Sequence, residues 1–228
     1  NDDRAIIYCK TKDETDEFVL KLKEYNIKAK SYHAGKSNNT RNTIQNKFTK
    51  GKINIIIATI AFGMGVDIPN IRLIINYGIS KDMESFYQEI GRAGRDGLPS
   101  DIYVYWSQGD LNINKSFLNN VEDNDFKKKQ MQRILEMEKF VNHTGCRMAY
   151  ITNYFGEVID NCGHCDHCLS NKSPPNHSSV FCGNLYIFPD LLLYLFSRNV
   201  MTSSFEKYNS VSVSMFLDFF SFAKVLPF

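Results

Sequence analysis

Along the chain, short apolar runs alternate with longer stretches in which apolar residues recur every three or four positions. Arg4 to Cys9 (RAIIYC) is the first run, and Thr11 then opens a helical pattern containing Phe18, Leu20 and Leu22. Ala29 to Tyr32 reads as a second strand ending at His33-Ala34-Gly35, after which Asn38 or Asn39 is placed to cap a helix through Phe48. Ile44 and Phe48 share one face of that helix. Ile53 to Ala58 (INIIIA) is the clearest buried strand, continuous and β-branched, and Ile71 to Asn76 and Ile102 to Trp106 follow it. No hairpin signal joins these runs. Strands alternating with helices predict an α/β fold built on a mostly parallel sheet, with helices on both faces. Ligands of such sheets collect at the carboxyl ends of the strands, where Thr11, His33 and Thr59 fall.

Beyond Asn124 the chain changes character. Lys127, Lys128 and Lys129 begin a long helix whose Met131, Ile134, Met137 and Val141 recur at helical spacing, a packed helix with a solvated basic end. A helix-like CRMAYITNYF segment comes next. Polar and acidic residues crowd between Asp110 and Asp123, which predicts a lobe over 1–110, a small helical subdomain over 111–170 and a separate tail over 171–228. In that tail Leu191 to Phe196 and Phe216 to Phe222 are apolar but too short to span a bilayer.

Composition changes this picture little. The chain has 228 residues, 43% of them hydrophobic, and a formal net charge of +2, so any basic surface must be local. No signal peptide or long apolar run is present, and secretion and membrane insertion are not expected. A start this close to a buried strand suggests a piece of a longer protein. Six cysteines matter more, because three of them form C-x-x-C-x-x-C, a pattern of metal binding in a reducing compartment.

Cys162, Cys165 and Cys168 supply three soft ligands in one turn, and Cys146 lies upstream as a fourth. Four such thiolates suit tetrahedral Zn2+ in a closed, structural site. His164 and His167 are interleaved and could replace a cysteine; reduced, unliganded thiols are the remaining alternative. Cys9 reads as a small core residue, and Cys182 has no partner at metal spacing.

The second cluster is Gln88 to Gly97, QEIGRAGRDG. Arg92 and Arg95 lie three apart, each after a glycine, so on a helical face they would form a double fork suited to phosphate oxygens. Gly91 and Gly94 leave room for a backbone or nucleotide beside them. Two surface arginines in an ion-pair network are the alternative.

Together with ATIAFGMGVDIP (Ala58 to Pro69), this string resembles the last two motifs of superfamily 2 helicases, and its wording is similar to the RecQ family of DNA helicases, most of all the Werner-type branch. The resemblance covers about residues 4 to 170. It implies a second RecA-like lobe followed by a zinc-binding subdomain held by Cys146, Cys162, Cys165 and Cys168. It also implies that Arg95 is an arginine finger for ATP held on a partner lobe, with Arg92 and Gln88 beside it. Gly63 and Gly65 would shape a tight loop, and Asp67 would meet the ribose or couple that loop to the arginines. Thr11, His33, Gly35 and Thr59 would lie near a DNA backbone, read without sequence preference, and Lys127 to Lys129 could add salt-dependent affinity. For His33 a hydrogen-bonded, partly buried role is the alternative. Met148 stands where a second arginine is usual, which argues against a strongly basic zinc platform.

No G-x-x-x-x-G-K-[ST] phosphate loop and no D-E-x-H string occurs in the chain. ATP and Mg2+ would therefore be bound mainly by a first lobe supplied in cis. The resemblance implies a 3′-to-5′ DNA helicase of recombination and repair, nuclear in a eukaryote and cytoplasmic otherwise. An RNA-directed helicase shares the arginine motif but not the cysteine cluster. A non-catalytic, helicase-derived module that grips DNA or a partner protein is the alternative.

Overall fold

The computed structural model describes residues 3–24, 26–63, 67–119, 121–170 and 183–188. Among them run strands β1 (Arg4–Cys9), β2 (Ala29–Tyr32), β3 (Ile55–Ala58), β4 (Ile71–Tyr77), β5 (Ser100–Tyr105) and β6 (Gly183–Phe188). They form one sheet in the order β2-β3-β1-β4-β5-β6, and each neighbouring pair is parallel. The helices are α1 (Lys12–Glu24), α2 (Asn38–Thr49), α3 (Met83–Ile90), α4 (Gln108–Ser116), α5 (Asn124–Asn142), α6 (Arg147–Tyr154) and α7 (Asp166–Ser170). The architecture is the parallel α/β sheet expected from the alternation of runs. Its sixth strand was not expected: it lies within the predicted tail and adds to the edge of β5. The apolar runs at 191–196 and 216–222, and Cys182, lie outside the described residues.

Side chains of β1 alternate across the sheet, as a strand's period of two requires. Ile7 and Cys9 join Leu22, Ala29, Ile57 and Ile75 under α1, while Ile6 and Tyr8 face the larger core containing Phe48, Phe62, Phe86 and Phe140. Cys9 is a buried core residue, and burial drives its thiol pKa far up. Leu22 and Phe18, one turn apart, face the sheet. Leu20 is 62% exposed, because two residues of helix carry it to the opposite side.

Caps decide where the helices begin. Thr11 Oγ1 accepts from the N–H of Glu14 at 3.1 Å, and Glu14 Oε2 accepts from the N–H of Thr11 at 3.0 Å, a capping box that starts α1. For α2 the cap is Ser37, not Asn38 or Asn39; its Oγ accepts from the N–H of Thr40 at 3.2 Å. Helix α5 starts at Asn124, three residues before Lys127, because Asp123 accepts from the N–H groups of Asp125 and Phe126. Ser107 and Asp110 form a second capping box at the head of α4.

The helical region shares the core of the sheet. Phe86 of α3 meets Phe140 of α5 at 5.3 Å between ring centroids, and Phe140 meets Tyr150 of α6 at 5.5 Å. One apolar cluster therefore runs from the strands to the cysteines. No described helix is long and apolar enough to cross a membrane. Truncating a buried ring at this junction leaves a cavity between two elements that cannot close independently. Phe86→Ala is expected to lower unfolding free energy by about 3–5 kcal/mol in urea titrations.

Candidate functional site

Three strand ends carry the residues expected at the carboxyl edge. Thr11 follows β1 and is exposed. Its oxygen is engaged as the α1 cap, which leaves the hydroxyl hydrogen available to an acceptor such as a phosphate oxygen. Thr59 follows β3, half-buried, its N–H bonded to the carbonyl of Tyr32 at 3.2 Å. His33 follows β2 and is only 6% exposed. Its Nε2 lies 3.2 Å from Asp16 Oδ2, while Asp16 Oδ1 accepts from Ser31 and Lys36, and Nδ1 is buried without a partner. Gly35 passes directly over this ring; a Cβ there would meet His33 Nδ1 at 3.0 Å. His33 is thus a hydrogen-bonded, buried histidine beneath the Gly35 turn.

Between β1 and β4 the edge is closed by Lys10. Its side chain crosses Gly78, where a Cβ would meet it at 2.3 Å, and ends on Asp110 of the α4 capping box. That ion pair ties the turn before Thr11 to the first helix after the sheet.

The arginine loop sits at the other rim. Helix α3 leaves the carboxyl end of β4 and ends at Ile90, so residues 91–97 are turns rather than helix. The two arginines consequently do not form one double fork. Arg92 turns inward, half-buried, and donates from Nη1 to the carbonyl of Gly63 at 2.7 Å. Gly63 has φ +142°, and a Cβ there would lie 2.1 Å from Arg92 Nη2, so this contact requires glycine. Arg95 turns outward, with Nε on the carbonyl of Gly91 at 3.1 Å and Nη1 on Asp67 Oδ1 at 2.9 Å. Asp67 is 87% exposed at its side chain, so this ion pair lies open to solvent. Gln88 is exposed on α3, and Gly65 lies outside the described residues.

What holds this loop was not legible beforehand. The N–H of Gly94 bonds to the carbonyl of Ile71 at 2.9 Å and that of Asp96 to the carbonyl of Pro69 at 3.3 Å. Gly94 has φ +59°, and a Cβ there would meet the carbonyl oxygen of Leu98 at 2.7 Å. Both oxygens of Asp96 accept from Arg72, one at 3.0 Å and the other more closely. Beneath the loop, Glu89 is 6% exposed and accepts from Asn76 and Ser80. Burial pushes its carboxyl up to about 7, against the pull of Ser80, Asn76 and Arg92 and with a smaller push from Asp82.

Cys146, Cys162, Cys165 and Cys168 are all buried, and their sulfurs lie within 4.8 Å of one another. A tetrahedral ion with sulfurs at about 2.3 Å needs them roughly 3.8 Å apart, so the donor set fits Zn2+. Among the described residues neither His164 nor His167 joins the group. Cys146 accepts from the N–H groups of Cys162 at 3.2 Å and Ala149 at 3.4 Å. Neighbouring thiols and these two donors hold Cys146 well below the ordinary thiol range, despite its burial.

Arg147, next to Cys146, is buried. Its Nη1 donates to the carbonyls of Phe140, Val141 and His143, capping the end of α5, and its Nε and Nη2 reach Asp166 between two of the cysteines. Met148 is likewise buried, at 2% exposure. Neither residue presents a basic surface. Lys128 and Lys129 remain exposed on α5, with Lys127 half-buried beside them.

Comparison with known proteins follows the same division. A family described as helicase conserved C-terminal domain matches residues 1–97, and one described as RecQ zinc-binding matches residues 108–169. The chain is 33% identical over 193 residues to the bifunctional 3'-5' exonuclease/ATP-dependent helicase WRN of Mus musculus, covering 78% of this chain and 14% of that protein. It is 39% identical over 165 residues to the putative ATP-dependent RNA helicase R290 of Acanthamoeba polyphaga mimivirus, covering 72% of this chain and 30% of that protein. It is 35% identical over 170 residues to the ATP-dependent DNA helicase RecQ of Bacillus subtilis, covering 74% of this chain and 29% of that protein. The chain therefore spans less than a third of the length of each of these relatives.

Two outcomes follow from the buried groups. Mercurial displacement with colorimetric detection should release one zinc per chain, and Cys165→Ser should release none and melt at lower temperature. For Glu89, the folded carboxyl holds its proton to about pH 7, whereas an unfolded one loses it near pH 4.3. The folded state binds more protons in that window, so this group's contribution to stability falls as pH rises through it, by about 4 kcal/mol in all. Urea titrations of Glu89→Gln across pH 4 to 8 should lack that component of the wild-type slope.

Proposed function

The chain belongs to the RecQ family of superfamily 2 helicases, and we propose that it is the second motor lobe and zinc module of an ATP-dependent 3′-5′ DNA helicase acting in recombination and repair. The observation that carries this reading is Arg95, whose guanidinium lies at the surface of the lobe with Nη1 on the exposed carboxylate of Asp67. A cation at such an exposed position faces solvent, where a nucleotide held on a second lobe would meet it.

In this reading Arg95 leaves Asp67 and stabilises the charge that builds on the transferring phosphoryl group, an effect worth several powers of ten in rate. Arg92 fixes the Gly63 loop, and Gln88, Asp67 and Gly65 complete the lobe's share of the nucleotide site. Mg2+ and the phosphates are held mainly by a first lobe in cis, since this chain has no phosphate loop. Alone, it neither hydrolyses ATP nor unwinds duplexes.

Thr11, Thr59 and the Gly35 turn over His33 line the opposite edge and hold a DNA backbone through hydroxyls and N–H groups. Lys127 to Lys129 add a salt-dependent component. Zinc, when bound, cross-links four thiolates and so fixes the start of α6 to the α7 turn. The relative named a putative RNA helicase keeps an RNA substrate in view as a second reading.

Phosphate release separates these readings. The isolated chain should show no ATP turnover with single-stranded DNA. The two-lobed protein should show turnover that DNA stimulates more than RNA, and Arg95→Ala there should lower it by about a thousandfold while leaving strand binding within a few-fold. Turnover by the isolated chain, or an undiminished rate in Arg95→Ala, would contradict the proposal.

A further inference from the structure

We infer that the fork between Arg72 and Asp96 is a positioning device for the arginine finger, so that Arg72 and Asp96 are residues the reaction needs without touching nucleotide. The inference rests on the reading of Arg95 given above and assigns that site two further residues.

Arg95 lies in a seven-residue turn, and nothing in a turn fixes a side chain to the tolerance that phosphoryl transfer demands. Each neighbour of Arg95 is therefore decisive. On one side Gly94 is anchored through its N–H to Ile71, and on the other Asp96 is anchored through its N–H to Pro69. These two bonds follow the backbone at the start of β4, and a peptide plane can rock about them. The Asp96 carboxylate removes that freedom, since Arg72 takes both of its oxygens in a planar, two-point contact. Arg72 itself is the second residue of β4, with its side chain 12% exposed, and its Nε also lies 3.7 Å from Asp3. Its base lies in β4 at the register shift with β1, between the pairs Arg4–Ile71 and Ala5–Leu73. Asp96 meanwhile accepts from the N–H of Leu98 at 3.1 Å, closing the turn behind the finger. The finger is thus bracketed on both sides by bonds to the first residues of β4 and the segment before it.

Electrostatics agree with the geometry. Hydrogen bonding to Arg72, with smaller help from the Leu98 N–H, holds the Asp96 carboxyl below the usual carboxylate range, so the fork persists across neutral pH. A bland surface pair would leave the loop's conformation to Gly94 and Gly97, both at positive φ. Here one oxygen pair of Asp96 faces the strand while the adjacent residue faces outward.

The test uses the complete two-lobed protein and measures DNA-stimulated ATP turnover for Asp96→Asn, Arg72→Lys and the reversed pair R72D/D96R. A misplaced finger removes an interaction made only in the transition state, so kcat should fall about 10- to 100-fold with KM for ATP unchanged within about twofold. Arg72→Lys keeps the charge but loses the fork, and should show a smaller loss. The reversed pair should recover most of kcat. Single-strand affinity should stay at the wild-type value throughout. If Arg95→Ala abolishes turnover while Asp96→Asn and Arg72→Lys keep it, the fork has no part in positioning and the inference fails alone. If Arg95→Ala itself keeps turnover, the reading beneath it fails. A loss of kcat that tracks a fall in Tm and is not recovered by the reversed pair would assign the fork to stability and overturn the inference.

Discussion

Two backbone hydrogen bonds, from Gly94 to Ile71 and from Asp96 to Pro69, join the arginine loop to the central sheet. Everything proposed for this lobe depends on that joint. Without it the loop is a solvated turn with two glycines at positive φ, and its arginines have no fixed direction. With it, the direction is inherited from β4, whose register with β1 is set by six pairs of residues inside a parallel sheet. Gly94 is the residue the joint most requires, because a side chain there would strike the Leu98 carbonyl.

The same sheet separates two chemistries. Strands point their carboxyl ends at one rim, where Thr11, His33, Gly35 and Thr59 gather. Helix α3 then carries the chain back across the sheet, so the arginines emerge at the start of β4 instead. Tyr8, Arg92 and Glu89 lie close together, and burial raises the Tyr8 phenol above its usual range against the pull of Arg92 and with a smaller push from Glu89. The zinc-binding region leans on this frame through Phe86, Phe140 and the Lys10–Asp110 pair.

Much of this was written in the sequence. The strands β1, β3 and β4 were visible as continuous apolar runs rich in isoleucine, because parallel strands buried on both faces need no polar alternation. Cysteine spacing found the four thiols, since local turns bring C-x-x-C sulfurs together without help from the rest of the fold. Long-range pairs were illegible for the opposite reason. Nothing in sequence joins Arg72 to Asp96, Asp16 to His33, or Arg147 to the carbonyls at the end of α5. Ser37 was passed over for the asparagines that follow it, because all three residue types cap helices and only backbone geometry chooses among them. The strand at Gly183–Phe188 was missed because one short apolar run next to a polar stretch has no period to distinguish it.

The central claim is that a cation fixed to β4 is aimed at a nucleotide held elsewhere. A crystal structure of the two-lobed protein with single-stranded DNA and ADP–beryllium fluoride tests it most directly. The account predicts Arg95 released from Asp67, its guanidinium within hydrogen-bond distance of the fluoride, and Asp96 still forked on Arg72. Arg95 remaining on Asp67, with the γ-phosphate mimic contacted by the first lobe alone, would contradict it.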